Sequence, residues 1–192
     1  MDAELRIRLP DWLLEYAAGC PALATAETRM DYVLDLAELA SRRGGGPFAA
    51  AVFERGGGRL VAAGVNMVVA SGYSMAHAET LALAMAQRTL GSYDLSAPGM
   101  PACELVSSAE PCLMCLGAIL WSGVRSVVCA ASDADVRAIG FDEGPKPDQW
   151  AARSRERGLE VAEGVLRDRA VAVLQAYRAS GGLIYNSRRL SV

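Results

Sequence analysis

The sequence predicts an α/β protein, a three-layer αβα sandwich with helices on both faces of one sheet. Three observations predict it. Short apolar or β-branched runs alternate along the chain with longer stretches of helical period. No internal repeat or low-complexity linker interrupts that alternation, so residues 1–192 read as a single domain. A hydrophobic content of 52% against 21% charged residues suffices to build a core without disulfides.

The elements follow in order. Within an N-terminal leader, residues 1–25, the patch Leu9-Pro10-Asp11-Trp12-Leu13-Leu14 predicts a short helix docked on the body or, alternatively, a dimer contact. Pro10 starts that helix and Asp11 helps to cap it. Thr25 or Thr28 caps a helix running to Arg43, because Met30, Val33, Leu34, Ala37 and Ala40 recur at steps of three and four, and Gly44-Gly45-Gly46-Pro47 ends it. Residues 48–53 and 60–66 are apolar runs joined by a glycine-rich turn, hence a hairpin. A loop over 69–76 leads into a helix over 77–91. After a polar link with proline and glycine, residues 104–108 read as a buried strand delivering Pro111 to the first turn of a helix over 113–122. A strand over 125–130, a helical turn from Asp133 to Ile139, a loop over 140–145, a helix over 148–157, a strand over 159–165 and a helix over 167–178 complete the body. Gly181-Gly182 breaks the last helix and opens a tail, residues 181–192, which is a candidate lid or dimer segment.

Composition narrows the function. No run approaches the ~18 apolar residues of a membrane span, and Met1-Asp2-Ala3-Glu4 is acidic where a secretion signal is basic, so a cytoplasmic protein without a membrane partner is expected. Five cysteines, an odd number, fit a reducing compartment, with Cys20, Cys103 and Cys129 as packing residues. The net charge of −3 argues against a nucleic-acid partner. Arg153, Arg155 and Arg157 are the one basic cluster that stands out, and Glu156 and Glu160 interrupt it, as on a solvated helix face.

Two segments carry chemistry: His77-Ala78-Glu79 and Pro111-Cys112-Leu113-Met114-Cys115. The gap between Cys112 and Cys115 lets both sulfurs reach one metal from a first helical turn, and His77, the chain's single histidine, supplies a third ligand. Three protein ligands leave a fourth position for water, the arrangement of catalytic rather than structural zinc. Glu79, two residues past the histidine, is placed to move protons on and off that water. A redox pair is the competing reading of Cys112 and Cys115, and it lacks the βαβ context such a pair needs.

The pattern His-x-Glu followed by Pro-Cys-x-x-Cys is the signature of zinc-dependent base deaminases. The chain resembles the cytidine deaminase-like zinc deaminases and, more narrowly, their bacterial and plant guanine deaminase branch. The likeness runs through Gly46-Pro47-Phe48-Ala49-Ala50, Asn66, the two zinc segments, Ala118-Ile119-Leu120-Trp121 and Gly140-Phe141-Asp142-Glu143-Gly144 to Ile184-Tyr185-Asn186. It implies the cytidine deaminase-like fold and hydrolytic deamination of a free nucleobase, guanine to xanthine and ammonia, with Zn2+ held by His77, Cys112 and Cys115. It further implies that Glu79 and Glu143 move protons and that Asn66, Phe48, Ala78, Trp121 and Tyr185 contact the base; read from the residues alone, Phe48 and Trp121 equally fit the core, Asn66 a turn, and Asp142-Glu143 a solvated loop pair. A homodimer with the tail over an active site is implied too. The alternatives are a triazine such as ammeline, cytosine or azacytosine, a pterin or a nucleoside as substrate, and a structural zinc protein without turnover.

Overall fold

The computed structural model of the protein describes residues 4–186. Five strands form one mixed sheet in the order β2-β1-β3-β4-β5. They are β1 (Ala49–Glu54), β2 (Leu60–Val65), β3 (Cys103–Ala109), β4 (Ser126–Ala131) and β5 (Glu160–Ala162). The hairpin β1/β2 is antiparallel, as its glycine turn requires, and β1 also runs antiparallel to β3. Strands β3, β4 and β5 are mutually parallel.

Eight helices accompany the strands among the described residues: α1 (Asp11–Ala18), α2 (Ala26–Arg42), α3 (Val68–Ser71), α4 (Ala78–Leu90), α5 (Leu113–Ser122), α6 (Asp133–Ala138), α7 (Trp150–Glu156) and α8 (Arg167–Ala179). The three layers follow from alternation in the strands. Ala49, Ala51 and Phe53 of β1, with Val106 and Val128, pack under α1, α2 and α8. Ala50 and Val52, with Leu105 and Val127, pack under α4, α5 and α7. Period-2 exposure of the two sets to opposite faces is what a strand buried on both sides demands.

Most boundaries fall where the sequence puts them. Thr25 caps α2 in a reciprocal pair with Thr28. At α1, Pro10 occupies the cap position and Asp11 makes no capping bond, pairing at 2.9 Å with Arg8 instead. Pro111 stands one residue before the cap of α5, because Cys112 takes that place. The expected strand over 159–165 shrinks to three residues because the chain turns at Gly164, where φ is +74°. The helix expected from 148 starts at Trp150, since Gln149 is left-handed with φ of 57°. The short helix α3 reaches into the expected loop 69–76, ending at Ser71.

Candidate active site

The site lies beyond the carboxyl end of β3, where the antiparallel half of the sheet meets the parallel half. Two helices start there. His77 caps α4 and Cys112 caps α5, each in extended backbone conformation with no side-chain capping bond. Their N-terminal N–H groups and positive dipole ends therefore converge on the same spot and favour thiolate there. Gly64 of β2 permits this placement, since a Cβ on it would stand 2.4 Å from the Ala78 carbonyl oxygen. Thr80 fixes the approach to α4 by donating to the carbonyls of Met75 at 2.6 Å and His77 at 2.9 Å.

His77 Nδ1 stands 3.5 Å from both Cys112 Sγ and Cys115 Sγ. The three ligand atoms lie within 4.8 Å of one another. A nitrogen and a sulfur bound tetrahedrally to zinc at about 2.1 and 2.3 Å stand about 3.6 Å apart, so the spacing already fits the ion. Charge points the same way. The Cys112 thiol is held well below its usual range by the Cys115 and His77 contacts, while sharing with Cys112 and burial push Cys115 up. Two sulfurs and a ring nitrogen meeting in one buried cluster form a donor set that a dication would complete.

Two carboxylates complete the chemistry. Glu79, in the first turn of α4, is 7% exposed, and burial followed by the Cys112 charge raises its pKa. Glu143 approaches from the loop after α6, and burial, then Cys112 and Glu79, push it up to about 8. Both face one cavity of about 420 Å³, which His77, Cys112, Phe48, Asn66 and Tyr185 also line. The Asn66 amide oxygen accepts the Val68 N–H at 3.1 Å, which leaves the amide nitrogen as the group free for a ligand. Phe48 meets Phe141 edge-on at 5.0 Å, and Phe141 meets Tyr185 at 5.1 Å, giving an apolar aromatic floor.

Two expected contacts are displaced. Trp121 is 88% exposed on the outer side of α5 and does not line the cavity, because the helix turns Leu116 and Ile119 inward at that level. Ala78 is buried against the sheet side of α4 and is absent from the lining as well. Sequence reasoning assigned no role to Phe141, Glu110, Ser74 and Asn186, all of which line the cavity. Phe141 could have been found as the single aromatic of the Gly140 to Gly144 loop. Asn186 clips that loop, accepting the Asp142 N–H and donating to the Gly140 carbonyl, both at 2.9 Å. The remainder of the tail, from 187 on, lies outside the described residues.

Residues 23–131 match the cytidine and deoxycytidylate deaminase zinc-binding region. The chain belongs to that family. Among relatives, a guanine deaminase of Bacillus subtilis is 41% identical over 99 residues, 52% of this chain and 59% of that protein. A solved guanine deaminase from Nitrosomonas europaea is 55% identical with a TM-score of 0.90, covering 93% of this chain and 98% of that one. A further structure, in complex with 2,6-diaminopurine, is 55% identical with a TM-score of 0.92 over 98% of this deaminase-family chain and all of the other. The fold is thus cytidine deaminase-like, and its cofactor is zinc.

Proposed function

We propose that the protein is a zinc-dependent aminohydrolase that converts guanine and water to xanthine and ammonia. The observation that carries this reading is the pair Glu79 and Glu143 facing one cavity beside the His77, Cys112 and Cys115 donor set. Likeness to guanine deaminases, and to a structure holding a 2-amino purine, supports the substrate.

His77, Cys112 and Cys115 would hold zinc, which would bring the pKa of a bound water toward about 7. Glu79 accepts a proton from the attacking water and delivers it to the purine ring nitrogen beside C2. Glu143, whose pKa burial raises, gives a proton to the C2 amine and regains one from the C2 hydroxyl as the C–N bond breaks and the C2 carbonyl forms, so that ammonia leaves and not amide ion. Separate carriers suit the two transfers because the ring nitrogen and the amine lie on different edges of the attacked carbon. The Asn66 amide nitrogen donates to the ring's acceptor edge, and Phe48, Phe141 and Tyr185 pack the purine and exclude water.

The enzyme acts on free base in purine breakdown in the cytoplasm, where its cysteines, none of them in a disulfide, stay reduced. Among the described residues, no helix is long and apolar enough to cross a membrane. A homodimer accounts for the outer face of α5. There Leu120 and Trp121 are exposed, continuing from Leu113 and Met114 at the cavity lining, on a helix with no charged residue. Gly117 sits at the centre of that face, where a Cβ would meet nothing within 4 Å, and gives room for a partner helix.

The test is ammonia release by zinc-loaded protein from guanine, guanosine, cytosine, cytidine, adenine, ammeline and a pterin. Guanine should react best. Turnover of a triazine, pterin or pyrimidine with guanine inert would keep the zinc chemistry and replace the substrate.

A further inference from the structure

Of the 19 basic residues in the chain, Lys146 alone is a lysine. Its side chain is 6% exposed. The ammonium stands 2.8 Å from Glu110 Oε2 and 3.4 Å from Asp133 Oδ1, and 5.3 Å from the centre of the Trp150 ring. Trp150 Nε1 donates to the same Glu110 oxygen at 3.1 Å. Two carboxylates and an aromatic face thus surround one point charge. An ammonium with three rotatable donors fits such a cage, whereas the planar fork of arginine needs more room.

The cage joins two segments of the site. Glu110 follows β3, is anchored to β4 by its own N–H on the Ala131 carbonyl at 2.8 Å, and stands two residues before Cys112. Lys146 stands three residues after Glu143. A second strap runs alongside, from the Leu113 N–H to the Glu143 carbonyl at 3.2 Å. Arg137 adds a third by donating to the Gly144 carbonyl at 2.7 Å, and it shares Asp133 with Lys146.

We propose that Lys146 is a positioning residue: by clamping the loop that carries Glu143 to the segment that carries Cys112, it fixes the distance between the second carboxylate and the metal ligands. The inference rests on the reading of Glu143 as the proton donor to the leaving amine. Stability alone does not explain the cage, since apolar residues commonly replace a buried ion pair without loss. The clamp acts instead on a distance, to which proton transfer is steeply sensitive.

The experiment uses the full, zinc-loaded chain with guanine as substrate and compares Lys146→Met, Lys146→Arg and Glu143→Gln. Lys146→Met should lower kcat about 10- to 100-fold. KM should stay within about twofold and zinc content unchanged, the mark of an interaction felt only in the transition state. Lys146→Arg, which keeps the charge and not the geometry, should recover thermal stability further than kcat. A second readout needs no turnover. Because no other side chain is a primary amine, acylation by an N-hydroxysuccinimide ester with peptide mass mapping reports Lys146 directly. Native protein should label there about tenfold or more slowly than protein in urea, and Glu110→Gln should release the protection.

If Glu143→Gln is inactive while Lys146→Met keeps full kcat, the positioning role is wrong and the reading of Glu143 survives. If Glu143→Gln keeps full kcat, the reading of Glu143 itself fails. Should Lys146→Met not fold, native labelling as fast as in urea would overturn the clamp by itself.

Discussion

Gly64 of β2 and Ala78 of α4 approach so closely that a methyl group on the glycine would stand 2.4 Å from the alanine carbonyl oxygen and 2.7 Å from the Ala82 nitrogen. The zinc site depends on this contact, because His77 and Glu79 flank Ala78 in the chain. Gly64→Ala should force α4 outward and cost about 1–3 kcal/mol of stability. Thermal unfolding and zinc stoichiometry check it together. An unchanged midpoint with full zinc content would show that the helix tolerates the methyl.

The ligand set predicts its own behaviour. His77→Ala, Cys112→Ala and Cys115→Ala should each lower zinc content well below one ion per chain, whereas Glu79→Gln should retain zinc. Chelation of the wild-type protein should lower its unfolding midpoint, because binding to the folded state alone stabilises it by mass action. Direct metal analysis and calorimetry decide this.

Asp135 offers a pH test on a group that is neither a zinc ligand nor part of the cavity lining. It closes a capping box with Ser132 and receives Arg167 through two bonds of 2.8 Å. The Arg167 guanidinium, then, against some opposing burial, the Ser132 bonds hold its carboxyl well below the usual range. A depressed folded-state pKa stabilises the fold above the ordinary carboxylate pKa of about 3.9 and loses that contribution as pH falls below it. Asp135→Asn should therefore cost about 1–2 kcal/mol at pH 7. The difference from wild type should shrink in unfolding measurements taken toward pH 3, and a pH-independent difference would contradict the account.

The exposed face of α5 gives a prediction about assembly. Trp121→Glu should convert a dimer to monomer in sedimentation experiments while leaving the fold intact, since the side chain is 88% exposed in the single chain. A monomeric wild-type protein would remove the reason given for the apolar face.

Much of this could be read from residue order, for physical reasons that differ from case to case. The zinc ligands were legible because ligand spacing is local: two sulfurs three residues apart share one helical turn, and the histidine is the chain's only one. The sandwich was legible because period-2 and period-3.6 burial leave direct traces in sequence. Trp121 was not, since an apolar helix such as α5 shows no polar face to say which side meets the sheet. Phe141 and Lys146 were missed for a related reason. Their partners, Phe48 and Glu110, are brought to them by the tertiary fold from segments distant in sequence. Strand β5 was overestimated because Gly164, the residue that turns the chain, lies inside an otherwise strand-like run.

The most direct test of the central claim is product identification. Zinc-loaded wild-type protein, Glu79→Gln and Glu143→Gln are each incubated with guanine, and xanthine and ammonia are quantified. The account predicts equimolar xanthine and ammonia from wild type, and a loss of about 10²–10⁴-fold in each variant with zinc still bound. Full activity in the Glu79→Gln variant, or no xanthine from wild type carrying its zinc, would contradict it.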